Sequence, residues 1–259
     1  MNLLQCILYR NRCYQEQRYI KPTRILVHST GANNTTLKRY VQPHATQSDG
    51  MGGKTRAEML ALLGTNIYSN DWNRSEGSVC VNAFIGKLAD GSLATVQTLP
   101  WDMRPWGCGA GSKGSFNNNA IQFEICEDST NNKDYCQATY NEAVELCAML
   151  CKKYNVDPDM IVSHSEAHKM GYASNHGDVE HWWSKHGLTM DGFRKAVKEA
   201  MKENEPAAPQ EEPAAPQEEP AANKKTIYRV QVGAFSVKAN AEAMLKQLKA
   251  QGYTDAFIK

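Results

Sequence analysis

The chain has 259 residues, with 29 basic and 28 acidic side chains and a formal net charge of +1. That balance excludes the strongly basic surface of a general nucleic-acid binder. No run approaches the roughly 20 apolar residues of a membrane span. The length suits one sizeable core plus a smaller module.

The charge is unevenly placed. Residues 203–223 carry six glutamates and no lysine or arginine, whereas residues 224–259 carry seven basic and two acidic side chains. The opening MNLLQCILYRNRCYQEQR lacks the long apolar stretch and small-residue cleavage pattern of a signal peptide. It predicts a chain made in the cytoplasm that reaches any extracellular target by another exit route.

In chain order, short β-branched or apolar runs predict strands at 24–27, 79–88, 93–99, 120–126 and 160–163. Asp90-Gly91 separates the second and third as a hairpin turn. Helices are predicted at 54–63, 137–154 and 190–202. In the long one, Tyr140, Val144, Cys147, Leu150, Cys151 and Tyr154 recur at helical spacing, and Asp157-Pro158 stops it. Strands interleaved with helices predict an α/β domain over 1–202, with a central mixed sheet flanked by helices.

The stretch 203–225 reads EPAAPQE twice, then fades in EPAANKK. Its prolines forbid a helix, and like charge favours an extended chain. About 20 residues at about 3.1 Å each make a semi-rigid spacer of roughly 60 Å. Residues 226–259 then predict a small β-α-β module, with strands at 226–235 and 253–258 around a helix at 238–251. Ala241, Met244, Leu245 and Leu248 form the apolar face of that helix, and Gly252 ends it. Such a unit is below the roughly 40 residues that usually fold alone. It also leaves strand edges unpaired. Pairing into a homodimer or higher oligomer solves both problems.

The eight cysteines contain no CxxC pair, which argues against a zinc ribbon. Free thiols are the expectation, with Cys6 and Cys13 left open as a disulfide pair.

Four distant residues carry the candidate chemistry. His28 follows the apolar run RILV, and His164 follows MIVS. A lone strand-end histidine is usually structural, but two in one domain favour a metal. His164 and His168 also form an HxxxH pair. His168 falls one turn into the next segment and points elsewhere. SNHGDVEHWW supplies His176, Asp178, Glu180 and His181, and its His-Gly-Asp turn can present Asp178 to a metal. Glu124 lies in AIQFEICE, where Gln122, Glu124 and Cys126 share one face. A carboxylate in so apolar a strand needs a partner. A strand-end salt bridge and a metal-activated water both serve, and the local pattern does not choose between them.

VHSTGANN, CVNAFIGKLADG, RPWGCG, IQFEICED and SHSEAHKMGYASNHGDVEHWW follow one another in an order that resembles a known family. The chain resembles zinc-dependent N-acetylmuramoyl-L-alanine amidases of the peptidoglycan-recognition-protein-like, phage endolysin type, over about residues 20–200. The resemblance implies Zn2+ held by His28, His164 and Asp178, with Glu124 as the catalytic base. It places His176 where relatives often carry an oxyanion-stabilising lysine. Relatives often have histidine in a Trp-His-x-Gly segment, which here reads Trp106-Gly107-Cys108-Gly109. Trp106 and Asn82 fall at cleft-facing, substrate-binding positions. The implied substrate is peptidoglycan, cut between the lactyl group of N-acetylmuramic acid and L-alanine. Access to the wall would follow release by holin or mother-cell lysis. A binding protein that reuses the fold without catalysis is the alternative, and such proteins typically lose a ligand. YRVQVGAFSVKANAEAMLKQLKAQGY resembles one half of a sporulation-related repeat, which implies a glycan-binding or oligomerising tail.

Overall fold

A computed structural model of the chain describes residues 1–129 and 132–203, and residues 242, 244–246, 248, 249 and 253 near the C-terminus. The chain divides into two compact units, Met1–Ala208 and Pro209–Lys259.

The first unit is built on one six-stranded sheet in the order β1-β4-β3-β5-β2-β6. Its strands are β1 (Leu3–Gln5), β2 (Arg24–Ser29), β3 (Ala83–Lys87), β4 (Leu93–Gln97), β5 (Ala120–Ile125) and β6 (Ile161–Ser163). β3 and β4 form the expected antiparallel hairpin, and every other pairing is parallel. The sheet is therefore mixed, as the sequence predicts.

Two features differ from the sequence reading. β1 is an added edge strand. It has only three residues and is partly exposed, so it shows no alternation to read. The predicted strand at 79–88 is shorter, starting at Ala83. Upstream of it, Cys80 leaves the ladder and bridges to Trp106.

The helices are α1 (Arg12–Gln15), α2 (Arg56–Leu63), α3 (Lys133–Tyr154), α4 (His164–Lys169), α5 (Glu180–Trp183) and α6 (Met190–Glu203). α2 starts on a Thr55–Glu58 capping box, worth about 1 kcal/mol. α3 starts four residues earlier than its apolar stripe suggests, because the Asn132 side chain accepts from the Tyr135 amide and caps it.

The strands alternate, so each sheet face has its own core. Ile25, Val27, Ile121, Phe123 and Ile125 pack with α3, Trp182, Trp183 and Phe193. Phe84 and Val96 pack on the other face with Leu37, Met59 and Leu63. His28, Gln122 and Glu124 occupy the alternate positions of β2 and β5, away from the α3 layer.

All eight cysteines are free and buried, Cys6 and Cys13 included. Burial pushes the thiols of Cys6, Cys136 and Cys151 up to about 12. Native protein at pH 8 is therefore expected to react slowly with an aromatic disulfide reagent, and unfolded protein is expected to show all eight thiols. Rapid native labelling would contradict this burial.

In the second unit, the described positions 242, 244–246, 248 and 249 are helical. Met244, Leu245 and Leu248 are half-buried, while Glu242, Lys246 and Lys249 are exposed. The predicted spacer beyond Glu203, both tail strands and Ala241 lie outside the described residues. Among the described residues, no helix is long and apolar enough to cross a membrane.

Candidate active site

Three parallel strands deliver the site. His28 and Glu124 are register partners on β2 and β5. Val27 pairs with Ser163 on β6, so the next residue, His164, leaves the sheet beside His28. Ser163 ends the strand by capping α4: its side chain accepts from the Glu166 amide, and Glu166 reaches back to the Ser163 amide. Arg194 of α6 grips Glu166 with two hydrogen bonds of 2.9 and 3.0 Å. Ser163 also donates to Glu180 at 2.6 Å. These ties fix where His164 starts.

His28, His164 and Asp178 are all buried and form a potential metal-binding group. His28 Nδ1 lies 3.0 Å from Asp178 Oδ2 and 3.1 Å from His164 Nδ1. His164 Nδ1 lies 3.5 Å from Asp178 Oδ1. His28 meets one oxygen of the carboxylate and His164 the other, and one donor atom from each residue lies within 4.8 Å of the other two, so two imidazoles and a carboxylate are gathered closely and their chemistry fits zinc. Burial disfavours the Asp178 carboxylate, but the polar contacts of the His164 and His28 rings outweigh it and hold the carboxyl well below the usual range.

Glu124 stands beside this triangle without joining it. Its Oε2 is buried and has no hydrogen-bond partner among the described residues. Burial, then the charges of Asp178 and Glu127, push its carboxyl well above the ordinary range. The salt-bridge alternative for Glu124 has no partner among the described residues.

His176 sits at the mouth. Its side chain is 63% exposed, and Nδ1 is 3.9 Å from Asp178 Oδ1. Its ring lies 4.6 Å from that of His164. His168 is exposed and faces the Ala173 carbonyl, outside the triangle. Trp106 is 39% exposed, with the Arg104 guanidinium 4.7 Å from its ring centre.

Asn82 requires a correction. It is fully buried rather than cleft-facing. Its amide donates to the carbonyls of Pro100 and Met103, and its Oδ1 accepts from the Gln122 amide. Every polar atom of the side chain is used internally, so it is a brace for β5 and the 100–103 loop. Losing it would orphan the Met103 carbonyl and the Gln122 amide at about 1–3 kcal/mol each, while the Pro100 carbonyl keeps the Met103 amide.

Sequence reasoning also missed the residues behind the ligands. His28 Nε2 meets Gln122 Oε1 at 3.0 Å, and His164 Nε2 meets Ser174 Oγ at 3.3 Å. The available signal was Gln122 sharing a face with Glu124 inside an apolar strand.

An α/β domain that gathers two histidines and an aspartate at parallel strand ends, with a buried carboxylate alongside, has the make-up of a metal-site hydrolase. Residues 18–178 match the Amidase_2 family, described as N-acetylmuramoyl-L-alanine amidase, and the chain belongs to that family. It is an N-acetylmuramoyl-L-alanine amidase, a peptidoglycan hydrolase. Residues 222–259 match the SPOR domain. No curated protein matches the chain.

Several solved structures are similar. The catalytic domain of PlyG is 18% identical, with a TM-score of 0.49, over 81% of this chain and 100% of that one. The Staphylococcus aureus hydrolase AmiA, in complex with its ligand, is 18% identical, with a TM-score of 0.47, over 71% and 78%. A mutant endolysin from Bacillus subtilis is 19% identical, with a TM-score of 0.46, over 76% and 99%.

Proposed function

We propose that this amidase works with one zinc ion held by His28 Nδ1, His164 Nδ1 and Asp178, and with Glu124 as its base. The observation that carries this reading is the buried donor triangle beside a carboxylate whose Oε2 has no hydrogen-bond partner among the described residues. Bound zinc would supply Lewis acidity and lower the pKa of a water ligand towards 7. Glu124 takes the proton from the attacking water. A carboxyl group whose protonated form is favoured by burial is suited to hold that proton and hand it to the leaving amine of L-alanine. His176, exposed at the mouth, donates a hydrogen bond to the developing oxyanion. Trp106 offers its exposed side chain to the sugar or stem peptide. The C-terminal module adds affinity for the glycan strands, and two copies pair to complete it. Tethering by the spacer would raise the local concentration of the catalytic unit on the wall.

The test uses purified cell walls, the full chain and a 1–202 truncation. The full chain is expected to release new L-alanine amino termini without new reducing sugar ends. Chelation should abolish this release, and zinc should restore it. The truncation should cut the same bond but bind walls more weakly. New reducing ends would overturn the bond assignment, and activity that survives complete metal removal would overturn the zinc assignment.

A further inference from the structure

Each ligand histidine must carry its proton on Nε2 if its Nδ1 lone pair is to face the metal position. Two chains of hydrogen bonds impose that choice, and both begin on the backbone of Gly107–Cys108–Gly109.

The first chain reads His28. The amides of Gly107 and Cys108 point to Asn117 Oδ1 at 3.1 and 3.2 Å. Backbone N–H groups only donate, so this atom is the amide oxygen of a fully buried asparagine. The Asn117 Nδ2 donates to the Gly109 carbonyl at 2.9 Å, which fixes the same orientation. Gln122 is also fully buried, and its Nε2 donates to Asn117 Oδ1 at 2.9 Å. Its Oε1 must then face His28 Nε2 at 3.0 Å. An amide oxygen only accepts, so His28 Nε2 must donate.

The second chain reads His164. The Cys108 carbonyl only accepts, and the Ser174 hydroxyl lies 3.2 Å from it. The hydroxyl donates there, to a carbonyl that also accepts from the Ser174 amide at 2.9 Å. Ser174 Oγ is left to accept from His164 Nε2 at 3.3 Å.

The two glycines make room for these supports. A Cβ at Gly107 would stand 2.5 Å from Gln122 Oε1 and 2.9 Å from Val81 Cγ1. A Cβ at Gly109, where φ is +63°, would stand 3.0 Å from Ser174 Oγ. Without the supports, the two Nδ1 atoms, 3.1 Å apart, would be free to share a proton. With them, two lone pairs and a carboxylate face one another, an arrangement that favours a cation.

We infer that the Gly107–Gly109 loop, through Asn117–Gln122 and through Ser174, is a positioning element that sets the tautomer of both metal-ligand histidines. The inference rests on the zinc-site reading for its purpose, but its content is measurable without metal. Long-range proton–nitrogen NMR of the full, metal-free chain is expected to show His28 and His164 as Nε2–H tautomers. Gln122→Met should release the His28 ring, and Ser174→Ala the His164 ring. Each should weaken zinc binding about 10–100-fold in chelator competition. Gln122→Glu, which restores an acceptor, should recover the His28 tautomer. Finding either wild-type ring as the Nδ1–H tautomer would overturn the inference without any variant. So would variants that keep both the tautomer and wild-type zinc affinity. Correct wild-type tautomers in a chain that binds no zinc would sink the metal reading and leave the tautomer assignment standing.

Discussion

Glu124→Gln is expected to lower kcat by about 10²–10⁴-fold, or about 3–5 kcal/mol of barrier, while zinc content stays unchanged. Glutamine has nearly the same volume and keeps polar atoms on the site face of β5, but it cannot take a proton from water. Glu124 is the register partner of His28 and stays outside the ligand triangle. Its loss should therefore leave metal binding intact and remove turnover alone. Steady-state release of amino termini, measured beside metal analysis, separates the two effects. Wild-type turnover in the variant would remove Glu124 from the mechanism. Loss of zinc along with activity would mean that it acts as a ligand instead.

Asp178→Ala should have the second large effect, of a different kind. It removes the only anionic donor of the triangle and leaves two neutral imidazoles. Zinc content is expected to fall from about one per chain to near zero, and turnover to background. Stability should report the same loss. Zinc at 100 times its Kd adds about 2.7 kcal/mol to a protein that binds it only when folded. Wild type should show that zinc-dependent rise in Tm, and Asp178→Ala should show none. The variant's metal-free transition should be compared as well, because the His28 and His164 rings both lie against this carboxylate. An unchanged zinc-dependent shift in Asp178→Ala would exclude the residue as a ligand.

The donor set was legible because its context repeats. RILVH and MIVSH both end an apolar run on a histidine, and such runs become adjacent parallel strands when both faces are covered. The alternation in AIQFEICE put Gln122 and Glu124 on one face before any neighbour was known. Asn82 was misplaced for a related reason. Its neighbours Val81 and Ala83 mark a strand edge, but nothing local says that Pro100, Met103 and Gln122 close around the side chain. β1 escaped notice because three partly exposed residues carry no periodic signal.

The sequence by itself determined the periodic elements, the order of the motifs, and the residue types able to hold a divalent ion and move a proton. Those follow from local alternation, helical spacing and side-chain chemistry. Only the tertiary structure decided which atoms meet. The Nδ1 atoms of His28 and His164 come together across 136 positions, and Asp178 reaches His28 across 150. Gln122 and Ser174 stand behind the two rings because a loop from another part of the chain leaves two Cβ positions empty. Such contacts depend on strand register and on space left by distant residues, and neither is written in any local window.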